Sequence, residues 1–314
     1  MAALRLTNVA LRRGVRGFSS SPLRLGAVEG VDKLSVIGAG QMGLGIALVA
    51  ARQASLPVTL IDNSPASLAK STAFLGKLLD KDVSKGRLTE EQAGEIKGRI
   101  TTTTDFDGGI AEADFIIEAV PEIIDLKTKI FENLAKGAKE SAVLATNTSS
   151  ISITKIAAAA GNAAERVIST HFMNPVPIQS GVEIITALQT SEKTLQTSLA
   201  LCKAMGKIPS QSADTPGFLA NRILMPYINE AVICLETGVG KKEDIDAIMK
   251  NGTGVPMGPL TLADFIGLDT CLAIMKVLYG DTGDSKYRPS VLLQRMVDAG
   301  WYGKKSGRGF YEYK

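Results

Sequence analysis

Apolar residues follow two different rhythms along this chain. From residue 34 to residue 185 they come in short runs: Leu34-Ser35-Val36-Ile37, Val58-Thr59-Leu60-Ile61, the segment 114–119, then 142–146 and 166–171. Runs of this length, rich in β-branched residues, predict strands buried on both faces. Between them lie stretches with helical spacing. One is Leu44 to Ala54, and another is a charged stretch over 64–98 in which Lys77, Lys81, Lys85 and Arg87 recur at near-helical intervals. Strands alternating with helices predict βαβ units and a doubly wound parallel sheet. The rhythm changes after Asp214-Thr215-Pro216-Gly217, where helical segments are expected over about 217–236, 241–250, 259–278 and 289–298. Pro216 and Pro259 stand where a first helical turn tolerates proline. The expected organisation is an α/β domain over 29–214 followed by an all-α domain over 215–314, without internal repeats. No run of 18 apolar residues occurs, so no membrane span is expected.

The first 28 residues differ from the rest. They carry Arg5, Arg12, Arg13, Arg16 and Arg24 among Ser and Leu, with no acid before Glu29 and no long apolar core. That composition predicts a mitochondrial presequence, with Arg16-Gly17-Phe18-Ser19 as the processing pattern, and so a place in the mitochondrial matrix. Its removal takes the formal charge from +3 to −2. The basicity is then a targeting property. No basic stripe remains to neutralise phosphates, and no nucleic-acid partner is expected. Cys202, Cys234 and Cys271 lack CxxC spacing and read as reduced thiols. With a single histidine in the chain, no nitrogen/sulfur metal site is expected.

The first predicted strand runs into Gly38-Ala39-Gly40-Gln41-Met42-Gly43, and Asp62 follows at the end of the second. A strand before this glycine pattern, a helix after it and an acid about twenty residues on predict a Rossmann-type dinucleotide site. Gly38 makes the tight turn, Gly40 lets a pyrophosphate approach the backbone, and Gly43 lets the helix pack on the strand. Ala39, Gln41 and Met42 complete the cradle at a helix N-terminus, whose unpaired N–H groups favour an anion. Asp62 would accept from the ribose hydroxyls and repel a 2′-phosphate, which favours NAD over NADP.

The single histidine, His171, closes a predicted strand at the sheet edge where open α/β sheets bind ligands. Asn174-Pro175-Val176-Pro177 turns the chain, and Val182-Glu183-Ile184-Ile185 returns as a strand that brings Glu183 beside His171. A carboxylate there fixes the imidazole tautomer and leaves the other nitrogen to take a proton.

Asn147-Thr148-Ser149-Ser150, His171-Phe172-Met173-Asn174-Pro175, the stretch Asp214 to Arg222 and Gly303 to Tyr311 together resemble the L-3-hydroxyacyl-CoA dehydrogenase family, in this order and from about residue 31 onward. The likeness is greatest to its single-function members. The resemblance implies reversible, NAD-dependent oxidation of an L-3-hydroxyacyl-CoA to the 3-ketoacyl-CoA, in β-oxidation or butyryl-CoA metabolism. It also implies a helical second domain through which the protein forms a homodimer. By position it makes His171 the general base and Glu183 its orienting partner, with Ser149 and Asn221 holding the substrate's oxygens. Glu122, Lys127, Ser149, Asn174 and Lys305 join the glycine turn and Asp62 as NAD contacts. For the acyl-CoA partner, Lys81 and Lys85 are the candidate phosphate contacts. The family's hydroxyl residue in the same helix falls here on Leu78, with Ser71 and Ser84 nearby. Two other readings keep parts of this picture. One is an NAD-dependent dehydrogenase of a non-CoA hydroxy acid or sugar acid on the same fold. The other is an NADH-binding protein without turnover.

Overall fold

A computed structural model describes residues 28–313, so the basic segment expected as a presequence lies, except for Val28, outside the described residues. The α/β half runs β1 (Leu34–Ile37), α1 (Gln41–Gln53), β2 (Val58–Ile61), α2 (Pro65–Ser84), α3 (Glu90–Gly98), β3 (Ile100–Thr103), α4 (Phe106–Ala111), β4 (Phe115–Glu118), α5 (Ile124–Gly137), β5 (Val143–Thr146), α6 (Ile153–Ala159), β6 (Val167–Phe172), β7 (Gly181–Thr186), α7 (Glu192–Ala204) and β8 (Ile208–Ala213). The helical half runs α8 (Ala220–Glu236), α9 (Lys242–Thr253), α10 (Pro259–Ile266), α11 (Leu268–Thr282) and α12 (Val291–Asp298).

The strands form one sheet in the order β3-β2-β1-β4-β5-β6-β7-β8. All neighbours are parallel except β6 and β7, whose hairpin sets His171 opposite Glu183. The four strands β1, β4, β5 and β6 are buried along their whole length, as continuous apolar runs in the middle of a two-sided sheet require. Two cores cover the faces. Leu44, Leu48, Leu75 and Met205 belong to one, and Ile110, Phe131, Leu134 and Ile156 to the other. A third, built on Met225, Leu260, Leu272, Met275 and Tyr287, holds the helical half.

Three expectations need correction, and two strands have no predicted counterpart. The stretch 64–98 is two helices, because Thr89 starts α3 with a full capping box: its hydroxyl accepts from Gln92 N–H while Gln92 Oε1 accepts from Thr89 N–H. The helix expected over 259–278 breaks at Gly267, whose φ of +107° lies outside helical backbone. Pro216 does not open a helix: Gly217 and Phe218 carry positive φ, and α8 starts at Ala220. Strands β3 and β8 have no apolar run to announce them. They are the two outer strands, reading ITTT and IPSQSA with mostly partly exposed or exposed side chains, as edge strands allow.

Candidate active site

The glycine turn lies where the sequence places it. Gly38 sits at φ +103°, and a Cβ there would stand 2.7 Å from the Ala119 carbonyl oxygen. A Cβ on Gly43 would stand 1.9 Å from the Gly38 oxygen, so helix α1 can follow β1 this closely only with glycine at that position. A Cβ on Gly40 would meet nothing within 4 Å. Gly40 borders a cleft of about 1150 Å³ together with Ala39, Gln41, Met42, Asp62 and Val120. The first turn of α1 has no capping side chain and no acid, so its N–H groups face that cleft as a positive helix end. A dinucleotide pyrophosphate fits this cradle by shape and charge.

Asp62 is built into the turn. Its Oδ2 accepts from Ala39 N–H at 2.8 Å and its Oδ1 from Ser64 N–H at 2.9 Å. Ser71, one of the hydroxyls considered for CoA, is buried and donates to the Ala39 carbonyl. Ser84 bonds back to the Lys81 carbonyl of its own helix at 2.9 Å, and Leu78 packs on the core.

The His171–Glu183 pair stands at the C-terminal end of β6. His171 Nδ1 lies 2.8 Å from Glu183 Oε2, and both residues are buried. Glu183 Oε1 accepts from the N–H groups of Leu219 and Ala220, each at 2.8 Å, where α8 begins. Burial alone would push the Glu183 carboxyl up. The His171 hydrogen bond, the Ala220 N–H, the His171 charge and the Leu219 N–H outweigh it and hold the carboxyl below its ordinary value. Phe218 stands edge-on to the imidazole with ring centroids 6.1 Å apart. Asn147 Oδ1 accepts from Phe172 N–H at 2.8 Å and so fixes the strand end next to His171.

Ser149 and Asn221 meet across the two halves of the chain: Asn221 Nδ2 donates to the Ser149 carbonyl at 3.2 Å. Glu122 collects the loop before α6. Its Oε1 accepts from Ser149 N–H at 2.8 Å, Ser149 Oγ at 3.2 Å, Ser150 N–H and Oγ at 3.1 Å each, and the Thr148 hydroxyl. Burial raises the Glu122 carboxyl less than the Lys127 charge and these donors lower it, so it lies below its ordinary value.

Both halves of the chain match one family. The profile of the 3-hydroxyacyl-CoA dehydrogenase NAD binding domain matches residues 33–215, and that of the C-terminal domain matches 217–313. The chain belongs to the 3-hydroxyacyl-CoA dehydrogenase family. A probable 3-hydroxybutyryl-CoA dehydrogenase of Bacillus subtilis is 48% identical over 284 residues, covering 90% of this chain and 98% of that protein. The mitochondrial hydroxyacyl-coenzyme A dehydrogenase of Sus scrofa is 39% identical over 97% of this chain and 99% of that protein. Among solved structures, the (S)-3-hydroxybutyryl-CoA dehydrogenase of Ralstonia eutropha superposes with a TM-score of 0.87 at 45% identity, over 90% of this chain and 99% of that one. This member of the 3-hydroxyacyl-CoA dehydrogenase family is an oxidoreductase that acts on a CH–OH group with NAD.

Lys127, Lys305, Lys81 and Lys85 are not among the residues that line the cleft. Lys127 is 1% exposed, with its ammonium 2.7 Å from Glu118 Oε1, 3.2 Å from the Val120 carbonyl and 3.4 Å from Glu122 Oε2. Enclosed by these three acceptors, it presents no open cation. Lys305 belongs to the helical half, where Asp269 holds it at 2.5 Å. Lys81 and Lys85 are exposed at the far end of α2, Lys81 roughly 15 Å along the helix axis from Ser71 at the cleft. Asn174 is close to the glycine turn: its Oδ1 accepts from Gln41 Nε2 at 3.0 Å.

The structure also gives roles to residues that the sequence reading left without one. Asp214 caps α6 from the linker between the halves, accepting from Ile153 N–H at 3.0 Å, Thr154 N–H at 2.8 Å and Ser152 Oγ at 2.8 Å. Glu118 takes Thr146 Oγ1 at 2.7 Å as well as Lys127. An acid in an apolar strand, as in Phe115-Ile116-Ile117-Glu118, is the one cue that could have found it, since a carboxylate is rarely buried unpaired.

Proposed function

We propose that this enzyme oxidises an L-3-hydroxyacyl-CoA reversibly to the 3-ketoacyl-CoA, with His171 as general base and Glu183 as its orienting partner. The observation that carries the reading is the buried 2.8 Å contact between His171 Nδ1 and Glu183 Oε2. With Nδ1 committed to the carboxylate, Nε2 is the nitrogen left to take the hydroxyl proton. Glu183 stabilises the imidazolium that results. NAD, when bound, accepts the hydride. The cradle of Gly38 to Gly43 would hold its pyrophosphate, and Asp62 its adenosine ribose. Asn174 and Glu122 would flank its nicotinamide end, with Lys127 supporting Glu122 from behind. Lys305 would join from the helical half. Ser149 Oγ and the Asn221 amide, as neutral groups, would hold the substrate oxygen without competing for its proton. In the reverse direction the His171 imidazolium returns the proton.

The acyl-CoA phosphates are assigned to Lys81 and Lys85, which have no ion-pair partner among the described residues. The helical half leaves Ile223, Ile248, Phe265 and Val291 exposed, which supports its use as the face of a homodimer. Matrix localisation is supported by the basic, acid-free start of the chain. It is also supported by the alignment of the mitochondrial pig enzyme over 97% of the chain, where the Bacillus protein aligns over 90%.

The test is oxidation of NADH with acetoacetyl-CoA by the wild-type protein and by His171→Ala. Turnover that falls at least about a hundredfold in the variant supports the reading. Binding of NADH without turnover of any 3-ketoacyl-CoA, or full activity in His171→Ala, would overturn it. Competition by free CoA separates a CoA thioester substrate from a plain hydroxy acid.

A further inference from the structure

Lys207 is a buried cation that the chemistry above does not use. It stands between α7 and β8, 8% exposed, and its ammonium donates to the Val176 carbonyl at 2.5 Å and the Gln179 carbonyl at 2.7 Å. No carboxylate pairs with it among the described residues. Burying an ammonium against neutral carbonyls alone is costly, and an apolar side chain of similar volume would serve packing better. What the ammonium achieves is specific to the segment it grips. Val176 and Gln179 belong to the loop that leaves β6 after His171 and carries Asn174.

Two other contacts hold the same loop, both from the cofactor helix α1. Gln41 donates to Asn174 at 3.0 Å. Gly45 lies so close to Val176 that a Cβ on it would stand 2.9 Å from the Val176 Cβ. The loop also closes on itself, with Ile178 and Gln179 N–H both bonded to the Pro175 carbonyl, and Ile208 N–H reaches the Ser180 carbonyl at 2.8 Å. The loop is thus pinned to α1 on one side and to the start of β8 on the other, and Lys207 is the charged part of the second pin.

We propose that Lys207 is a positioning residue for hydride transfer: by gripping the 176–179 carbonyls it fixes the Asn174 amide and the end of β6 against the glycine turn. The proposal rests on the reading of Asn174 as a nicotinamide contact and of His171 as the base. A loop that relaxes by an ångström would misalign the reacting carbons while leaving the CoA end untouched.

The test compares wild type, Lys207→Met and Lys207→Ala by NADH affinity from fluorescence titration, kcat and KM for acetoacetyl-CoA, and thermal midpoint. Lys207→Met is expected to lower kcat about tenfold or more and to weaken NADH binding severalfold, with KM for acetoacetyl-CoA within about twofold. Millimolar methylammonium or ethylammonium is expected to restore part of kcat in Lys207→Ala and not in Lys207→Met, where the space is filled. If kcat and NADH affinity in Lys207→Met stay within about twofold of wild type, the proposal is overturned. It is also overturned if both variants lose every parameter together with their thermal midpoint and no amine restores turnover. That would be a purely structural lysine. Absence of turnover in the wild type would instead count against the dehydrogenase mechanism, and the NADH titration would still report on Lys207.

Discussion

His171 and Glu183 are joined at 2.8 Å, and the carboxylate that orients the imidazole is itself held by the other half of the molecule. Its second oxygen takes the Leu219 and Ala220 N–H groups at the start of α8. The next residue, Asn221, reaches back to the Ser149 carbonyl. The helical half therefore supplies the donors that keep Glu183 ionised and aimed. An isolated α/β half would lack them.

Replacing Glu183 by Gln keeps the size and removes the charge. The amide cannot stabilise an imidazolium as a carboxylate does, and it can hold His171 in the wrong tautomer. We expect kcat to fall by roughly two to four orders of magnitude, with NADH affinity within about twofold of wild type. Stopped-flow NADH oxidation and fluorescence titration check the two halves of that statement. A large loss of NADH affinity would place Glu183 in cofactor binding.

The same residue gives a pH signature in stability. Its folded carboxyl lies below the ordinary value, so folding favours the ionised form. A lowered acid contributes stability that is fully present above the unfolded value, about 4.3 for a glutamate, and lost as the pH falls through the lower folded value. The gap in unfolding free energy between wild type and Glu183→Gln should therefore be widest near neutrality. It should close as the pH drops below about 4. Urea unfolding at a series of pH values measures it. A gap that is constant or widens towards acid contradicts the assignment.

The sequence was most legible where one residue's role depends on its neighbours in the chain. Gly38, Gly40 and Gly43 are fixed by the geometry of one turn, and Val182 to Ile185 follows His171 by a single hairpin, so both could be read locally. Glu118 with Lys127, Asp214 with α6, and Lys207 with the 176–179 loop depend on packing between distant segments. Apart from the acid inside the apolar run of β4, nothing in their local pattern distinguishes them from solvated charges. Strands β3 and β8 carry no apolar signal for a related reason. At the sheet edges one neighbour suffices, and polar residues are tolerated there. The helix expected over 259–278 breaks at Gly267, whose φ of +107° is a backbone conformation that apolar spacing does not report.

Two glycines of the turn separate folding from binding. At Gly40 the backbone is extended, with φ −73° and ψ −175°, and a Cβ would point into open space within the cleft. Gly40→Ala should fold with a thermal midpoint close to wild type and raise KM for NADH about tenfold or more, because the methyl takes the space of the pyrophosphate. At Gly43 the Cβ would collide with the Gly38 oxygen at 1.9 Å. Gly43→Ala must therefore push α1 off β1 and lose both midpoint and NADH binding. Parallel melting curves with and without NADH distinguish the two. Equal behaviour of the variants would mean that the turn is not the cofactor cradle.

The buried pair of Lys127 and Glu118 makes the sharpest stability prediction. Both side chains are at most 1% exposed and their charges lie 2.7 Å apart. Glu118 also receives Val120 N–H and Thr146 Oγ1, each at 2.7 Å, so its carboxylate is well served only while the ammonium balances it. Lys127→Met leaves that charge buried and unpaired and should cost about 3–5 kcal/mol. The same change removes the cation beside Glu122, 3.4 Å away, and with it one of the causes that keep that carboxyl ionised. The double change Glu118→Gln with Lys127→Met should recover a good part of the stability, since no isolated charge remains. If Lys127 acts on NAD only through Glu122, the double variant should still bind NADH more weakly than wild type. Chemical denaturation of wild type, Lys127→Met, Glu118→Gln and the double variant gives the coupling between the two positions. A coupling near zero would show that the pair does not hold β4 to α5.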